Sequence, residues 1–269
     1  MHKTFLTIVC ISKDNFSGIK KTFYSISSSI LKNKNDISIL HMDKSDNFLK
    51  SNEIGKELLS GFEYQFYRQK SSGIFNAFNE SINLVNAEYL YFLNTGDVLY
   101  EKKSLNRIVN ESKCKEKPNI IYFDIYKKFS DHLEIKKSST DIYKCLKPFS
   151  ILFPSHQACI FKTSEHKKTL YPVYFGADEF VIRLFLKKGL FLKKGLSSQS
   201  CKYIPYGICI FDLKGISSLS RISFNEFLKR LFGNLIMFLP HRILSDFMKI
   251  YPFYFFRKKL LIFLFKFTK

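Results

Sequence analysis

Residues 71–97, "SSGIFNAFNESINLVNAEYLYFLNTGD", decide how the rest of the chain is read. Ile74, Phe78, Ile82 and Val85 recur at one-turn intervals and mark a single apolar helix face. The run 89–93 is β-forming and apolar at every position, as a strand covered on both faces of a sheet must be. It stops on Asn94-Thr95-Gly96-Asp97, where the glycine lets the backbone turn tightly. Ligands of open α/β sheets collect at the carboxyl ends of the strands. Asp97 is therefore either a turn-capping residue or the first residue of a site.

Upstream, the apolar run 5–12 reads as a buried strand, and Ile19, Phe23, Ile26 and Ile30 as one face of a helix. A short strand over 37–41 ends near Asp43. The segment 44–60 reads as a loop entering a short helix, and 62–67 as a third strand. Strands alternating with helices predict a mixed, mainly parallel α/β sheet with helices on both faces, a Rossmann-like half with its site at the strand ends. Downstream, helices are expected over 104–113 and 177–188 and strands over 119–124, 156–162 ("HQACIFK") and 203–211. The segment 127–150 is polar, basic and irregular. The second of these helices opens on Asp178 and Glu179, a pair that would also suit a helix dipole.

Of 269 residues, 46% are hydrophobic and 17% aromatic, which excludes a mainly disordered chain. The formal charge of +20 calls for an anionic partner (nucleic acid, an anionic membrane or a phosphorylated substrate) unless it reflects Lys-rich composition alone. The charge is uneven. Beyond residue 223 the chain is intensely apolar, with Lys229, Arg230, Arg242, Lys249, Arg257, Lys258, Lys259, Lys266 and Lys269 against only Glu226 and Asp246. No uncharged run there approaches the ~20 residues that cross a bilayer, and a basic helix rich in Phe and Leu reads as lying in the membrane interface. The alternative is a helix packed on the domain. Six scattered cysteines show no metal-type spacing and no disulfide framework. The start of the chain is not a convincing signal peptide, so a reducing cytosol is expected.

The opening stretch resembles the "D-x-G-I-Y-D-A-M-N…F-L-N-S-G-D" signature of bacterial family 2 glycosyltransferases of the GT-A type, found in lipopolysaccharide, O-antigen and capsule synthesis. "TIVCISKDNFSGIKKTFYSI" is similar to that family's first strand and helix, "PSHQACIFK" to its "HQ-x-x-F" segment, "FGADEFVIRLFLKKG" to its acid-led helix, and "FDLKGISS" to its "f-x-x-G-G-x-S" loop. The five segments follow in order across most of residues 4–220. The resemblance implies a transferase domain over 1–222, split into a nucleotide-binding half (1–97) and an acceptor-binding half (98–222), followed by the membrane-associating tail 223–269.

It further implies metal-dependent, inverting transfer from a nucleotide sugar, a UDP-sugar first, to a polyprenyl-diphosphate-linked or other glycan acceptor at the cytoplasmic face of the bacterial inner membrane. Mn2+ or Mg2+ stabilises the departing diphosphate in such chemistry and prefers carboxylate oxygens. Asp97 is the expected ligand, with Asn94 beside it. Asp178 is the expected base for the acceptor hydroxyl, with Glu179 as the fallback. Asp43, or Asp46 after it, stands for the uridine contact. His156 lines the site toward diphosphate or acceptor, or is a buried structural histidine. Lys214, Ser217 and Arg221 lie in or beside a loop that could close over the diphosphate, or are solvated. Ser71 and Asn76 depart from the pattern, which has Asp at both positions and uses the first on the nucleotide. Asn76 and Asn79 remain candidates for binding the nucleotide sugar, Asn79 by bracing helix or donor. Two other readings stand beside this one: a catalytically degenerate module of the same fold, and nucleic-acid binding from charge alone, for which no motif appears.

Overall fold

The structure, a computed structural model, describes residues 4–129, 131–147, 150–173, 176–192 and 200–212. The first half alternates as its periodicity predicts. Strand β1 (Leu6–Ser12) is buried at every residue and leads into α1 (Phe16–Ser27), whose first turn is capped by the Asn15 side chain accepting from the Gly18 N–H. Then follow β2 (Ile37–Asp43), α2 (Phe48–Leu58), β3 (Glu63–Arg68), α3 (Ile74–Leu84) and β4 (Tyr89–Phe92). These four strands are all parallel, in the order β3-β2-β1-β4. The register pairs Ser12 with Asp43 and Val9 with Phe92, so the chain leaves β1, β2 and β4 along one lip of the sheet.

The second half is built differently. It comprises β5 (Val98–Leu99), α4 (Ser104–Ser112), β6 (Ile120–Lys128), β7 (Leu133–Lys136), α5 (Ile142–Leu146), β8 (Cys159–Lys162), α6 (Thr163–His166), α7 (Ala177–Leu192) and β9 (Cys201–Asp212). Strand β8 runs antiparallel between β4 and β6, and β9 runs parallel to β6 while its far end pairs antiparallel with β5. The sheet order among the described residues is β3-β2-β1-β4-β8-β6-β9-β5, with β7 hairpinned onto β6.

Both faces of this mixed sheet are covered, as expected. On one, Ile19 and Phe23 of α1 and Leu105 and Ile108 of α4 pack on Ile8, Ile39 and Tyr91. On the other, Phe78 and Ile82 of α3 and Val181 and Phe185 of α7 pack on Val9, Leu40 and Phe92. Each such side chain contributes about 1.5–3 kcal/mol on burial. Cys10, Cys159 and Cys209 are buried inside these cores, and all six cysteines are free.

Several expectations needed correcting. Helix α1 ends at Ser27, and Ile30 is 58% exposed, its N–H donating to the Lys102 carbonyl at 2.8 Å. The polar segment 127–150 is not wholly irregular, because it holds β7 and the short α5, whose Ile142 and Cys145 are buried. The run 156–162 is a strand only from Cys159; His156–Ala158 is a 3-10 turn. No helix among the described residues is long and apolar enough to cross a membrane.

Candidate active site

The turn after β4 is stapled from behind by α1. Thr22 Oγ1 accepts from the Gly96 N–H at 2.9 Å and donates to the Asp97 carbonyl at 2.7 Å. Thr95 Oγ1 donates to the Ile11 carbonyl at 2.9 Å, tying the same turn to β1. Gly96 holds φ +110°, which a side chain would resist. Asp97 is thereby fixed with 4% of its surface exposed. Its charge reaches the thiols of Cys10 and Cys209, which burial first and Asp97 second push well above the ordinary range.

Beside it, Asn94 Oδ1 is buried without a hydrogen-bond partner. An orphaned amide oxygen next to a carboxylate is a donor set that fits a hard divalent cation, which takes one or two protein oxygens and completes its shell with phosphates and water. No group of three or more His, Cys, Asp or Glu suited to a metal occurs among the described residues.

At the neighbouring lip Asp43 is fully buried and already engaged. Its carboxylate accepts from the Ser12 hydroxyl, from Ser45 Oγ at 2.7 Å and from the Ser45 N–H at 3.2 Å. With its hydrogen given to Asp43, Ser12 Oγ accepts from His41 Nε2 at 2.7 Å, and His41 Nδ1 accepts from the Tyr64 hydroxyl at 2.9 Å. Burial holds the His41 pKa down to about 4, partly offset by Asp43. Asp46 is exposed on the following loop, its N–H donating to Asp14 Oδ1 at 3.0 Å.

The two acids of α7 also divide. Glu179 is 6% exposed and bound by Arg183, Nε at 3.1 Å and Nη2 at 2.8 Å, while Nη1 of the same guanidinium donates to the Leu146 carbonyl at 3.0 Å. Asp178, half-buried, turns its charge toward His156 and Tyr171, whose protonation equilibria it shifts. His156 is 5% exposed and stacks on Phe92 at 5.1 Å, two residues before Asn94.

The structure thus sets His156 between β4, whose end leads into Asn94 and Asp97, and the start of α7, which carries Asp178. Asn79 faces that region from α3 but uses its amide on Tyr171, donating to its carbonyl and accepting from its N–H, both at 2.8 Å. Asn76 donates to the Ser72 carbonyl at 2.7 Å. Ser71 is exposed, its N–H and that of Lys70 received by the Glu80 carboxylate at 2.8 and 2.9 Å. Gly73, at φ +97°, opens α3 in a conformation that only glycine takes readily, which accounts for the glycine of that motif. Lys214, Ser217, Arg221 and the tail 223–269 lie outside the described residues. Sequence reading missed Thr22, Tyr171 and His166, whose roles arise from contacts far apart in the chain.

No protein-family model matches the chain, and no curated protein matches it in sequence. Solved structures do match in fold. S. aureus TarS, residues 1–349 in complex with UDP, superposes with a TM-score of 0.62 at 10% identity, over 88% of this chain and 66% of that one. The same TarS segment in complex with UDP-GlcNAc gives 0.59 at 8% identity, over 78% and 58%. The mannosyltransferase PcManGT from Pyrobaculum calidifontis, in complex with GDP-Man and Mn2+, gives 0.59 at 10% identity, over 88% and 64%. The chain therefore spans about two thirds or less of the length of the structures it matches. What it shares with them is the mixed α/β, GT-A-like fold.

Proposed function

We propose that the chain is a GT-A glycosyltransferase that moves a sugar from a nucleotide sugar, a UDP-sugar first, to a lipid-carried saccharide in surface-polysaccharide synthesis. The observation that carries this reading is the stapled Asn94–Asp97 turn, set at the lip of a fold shared with proteins solved with UDP, UDP-GlcNAc and GDP-Man. Asp97 and Asn94 would hold a divalent cation, Mn2+ or Mg2+, which when bound supplies Lewis-acid stabilisation to the departing diphosphate.

Asp178 takes the proton of the acceptor hydroxyl as its oxygen bonds C1 and the C1–phosphate oxygen bond breaks, so the anomeric centre inverts. Glu179 is a poor substitute, because its carboxylate is consumed by Arg183. Asp43 reaches a nucleotide only if Ser12 and Ser45 release it. The halves 1–97 and 98–222 then serve donor and acceptor. The tail 223–269 holds the enzyme on the anionic inner face of the membrane, where Lys and Arg also favour a polyprenyl diphosphate.

The test is nucleotide release from UDP-, GDP- and dTDP-sugars with Mn2+ in detergent, with wild type and Asp97→Ala side by side. Donor binding is followed by thermal shift in the same samples. Metal-dependent hydrolysis of one donor, lost in the variant, is expected. Absence of both turnover and binding would favour a degenerate module of the same fold, the reading that Ser71 and Asn76 motivate. For the tail, deletion of 224–269 should abolish flotation with anionic liposomes; unchanged flotation removes the membrane part.

A further inference from the structure

His156 ends a chain of buried hydrogen bonds whose direction can be worked out atom by atom. His166 Nδ1 lies 3.0 Å from the Thr169 carbonyl, which can only accept, so Nδ1 carries a hydrogen. The His166 ring is fully buried, and desolvation above all pushes its pKa down to about 3, so it is neutral and its Nε2 is bare. The Tyr171 hydroxyl, 3.0 Å from that nitrogen, gives it its one hydrogen. His156 Nε2 sits 2.5 Å from the same hydroxyl oxygen and must be the donor in that pair.

His156 is neutral as well, burial holding its pKa down to about 4 against the opposing charge of Asp178. Its Nδ1 is then a lone pair with no hydrogen. No described residue bonds that nitrogen, and it is not sealed in the core. The sealed polar side-chain atoms without partners are on Ser51, Asn52, Asn94 and Thr163. Asn79 keeps the hub in place by gripping the Tyr171 backbone at both N–H and carbonyl.

We propose that Tyr171 is a positioning residue that fixes His156 as an acceptor-only ring, and that His156 Nδ1 receives a hydroxyl of the donor sugar rather than a diphosphate oxygen. A phosphate oxygen is itself an acceptor and is repelled by a lone pair, whereas a sugar hydroxyl can donate. The stacking of His156 on Phe92, two residues before Asn94, sets this ring against the strand that leads into the turn assigned to the diphosphate, where the donor sugar follows. The hydroxyl assignment rests on the transferase reading; the ring orientation and tautomer do not.

Ring-15N-labelled histidine in the full-length chain, in detergent at neutral pH, tests the tautomer directly. The protein has six histidines, and His156→Gln and His166→Gln assign the two signals. Long-range 1H–15N correlations should show His156 protonated on Nε2 and His166 on Nδ1. Tyr171→Phe should give His156 a mixture of tautomers. A His156 protonated on Nδ1 or on both nitrogens, or one unmoved by Tyr171→Phe, overturns the proposal. If Tyr171→Phe fails to fold, the wild-type spectrum alone still decides the tautomer.

The second arm compares binding of UDP, UDP-GlcNAc, GDP and GDP-mannose by wild type and His156→Ala. Unchanged affinity for the bare nucleotides, with about tenfold loss for a sugar nucleotide, is expected. Equal loss for UDP or GDP, or no loss for any sugar nucleotide, overturns the hydroxyl assignment. A wild type that binds no nucleotide would sink the transferase reading and with it the hydroxyl, while the tautomer stands or falls on the spectrum.

Discussion

At the β1–β2 lip a histidine, an aspartate, two serines and Tyr64 bond one another. At the β4–α7 lip a histidine and an asparagine each keep an acceptor that no described residue bonds. Both lips carry a tyrosine–histidine bond, and the sequence marks both as site. The first has used its polar groups on itself, and the second has polar groups left over. A sealed acceptor left unmet, as Asn94 Oδ1 is, costs free energy, so it is the second lip that has something to gain from a ligand.

The largest effect that could break this contrast is at the two aspartates. Asp43→Ala leaves the buried Ser12 and Ser45 hydroxyls without their common acceptor and should cost about 1–3 kcal/mol for each donor left unpaired, read from urea unfolding. That is a large share of a domain's stability. Asp97→Ala should lose donor turnover by at least ~100-fold, the scale of one electrostatic contact to developing charge, with a smaller change in the urea midpoint. The opposite pattern, with Asp43→Ala folded and altered in donor binding, would return Asp43 to the nucleotide and erase the distinction.

Acid should strain both lips together. His41, His156 and His166 have pKa values lowered to about 4, 4 and 3, below the ordinary 6.5 of the unfolded chain. Between those limits the unfolded state binds protons that the native state refuses, so stability rises with pH and is lost as pH falls from about 6.5 toward 4. Each histidine contributes on the order of 1 kcal/mol per pH unit in that window. Urea midpoints at pH 7 and pH 5 measure this, and equal midpoints would mean that the rings are already charged or already exposed.

Two smaller changes sharpen the geometry. Gly73→Ala places a side chain at φ +97° and should destabilise by about 1–3 kcal/mol even though open space surrounds the site. Thr22→Val removes the hydroxyl that accepts from Gly96 and donates to Asp97, costing about 1–2 kcal/mol and loosening the turn. Donor hydrolysis should fall more than the melting temperature would suggest. A Thr22→Val protein with unaltered turnover would show that the staple is not needed to aim Asp97.

The first half of the fold was legible because its signals are local. A turn-periodic face in α3, an all-apolar β4 and a glycine before each motif boundary can be read within a dozen residues. Where the reading failed, a distant partner decided. Ile30 continues the spacing of α1, yet its N–H is claimed by Lys102. Strand β6 runs past its apolar core to Lys128 because β9 pairs it as far as Asp212. The bonds that hold Asp43 are just as distant, since they come through Ser12, itself bonded to His41, and their spacing announces nothing. Tyr171 and His166 sit in "HKKTLYP", where no periodicity or motif draws the eye, and their meaning exists only once Asn79 and His156 are beside them.

Strand β5 begins one residue after Asp97, and its Val98 pairs with Ile210 of β9, the last strand described. During synthesis the parallel first half can collapse as soon as it emerges, but the short strand that follows Asp97 has no partner until the chain has been made almost to residue 212. Such late, long-range pairing is slow to form. A nascent or truncated chain lacking β9 would carry every residue of the Asn94–Asp97 turn and still lack the partner of the strand that follows it. The strand that leaves the Asn94–Asp97 turn is therefore among the last parts of the described sheet to be paired.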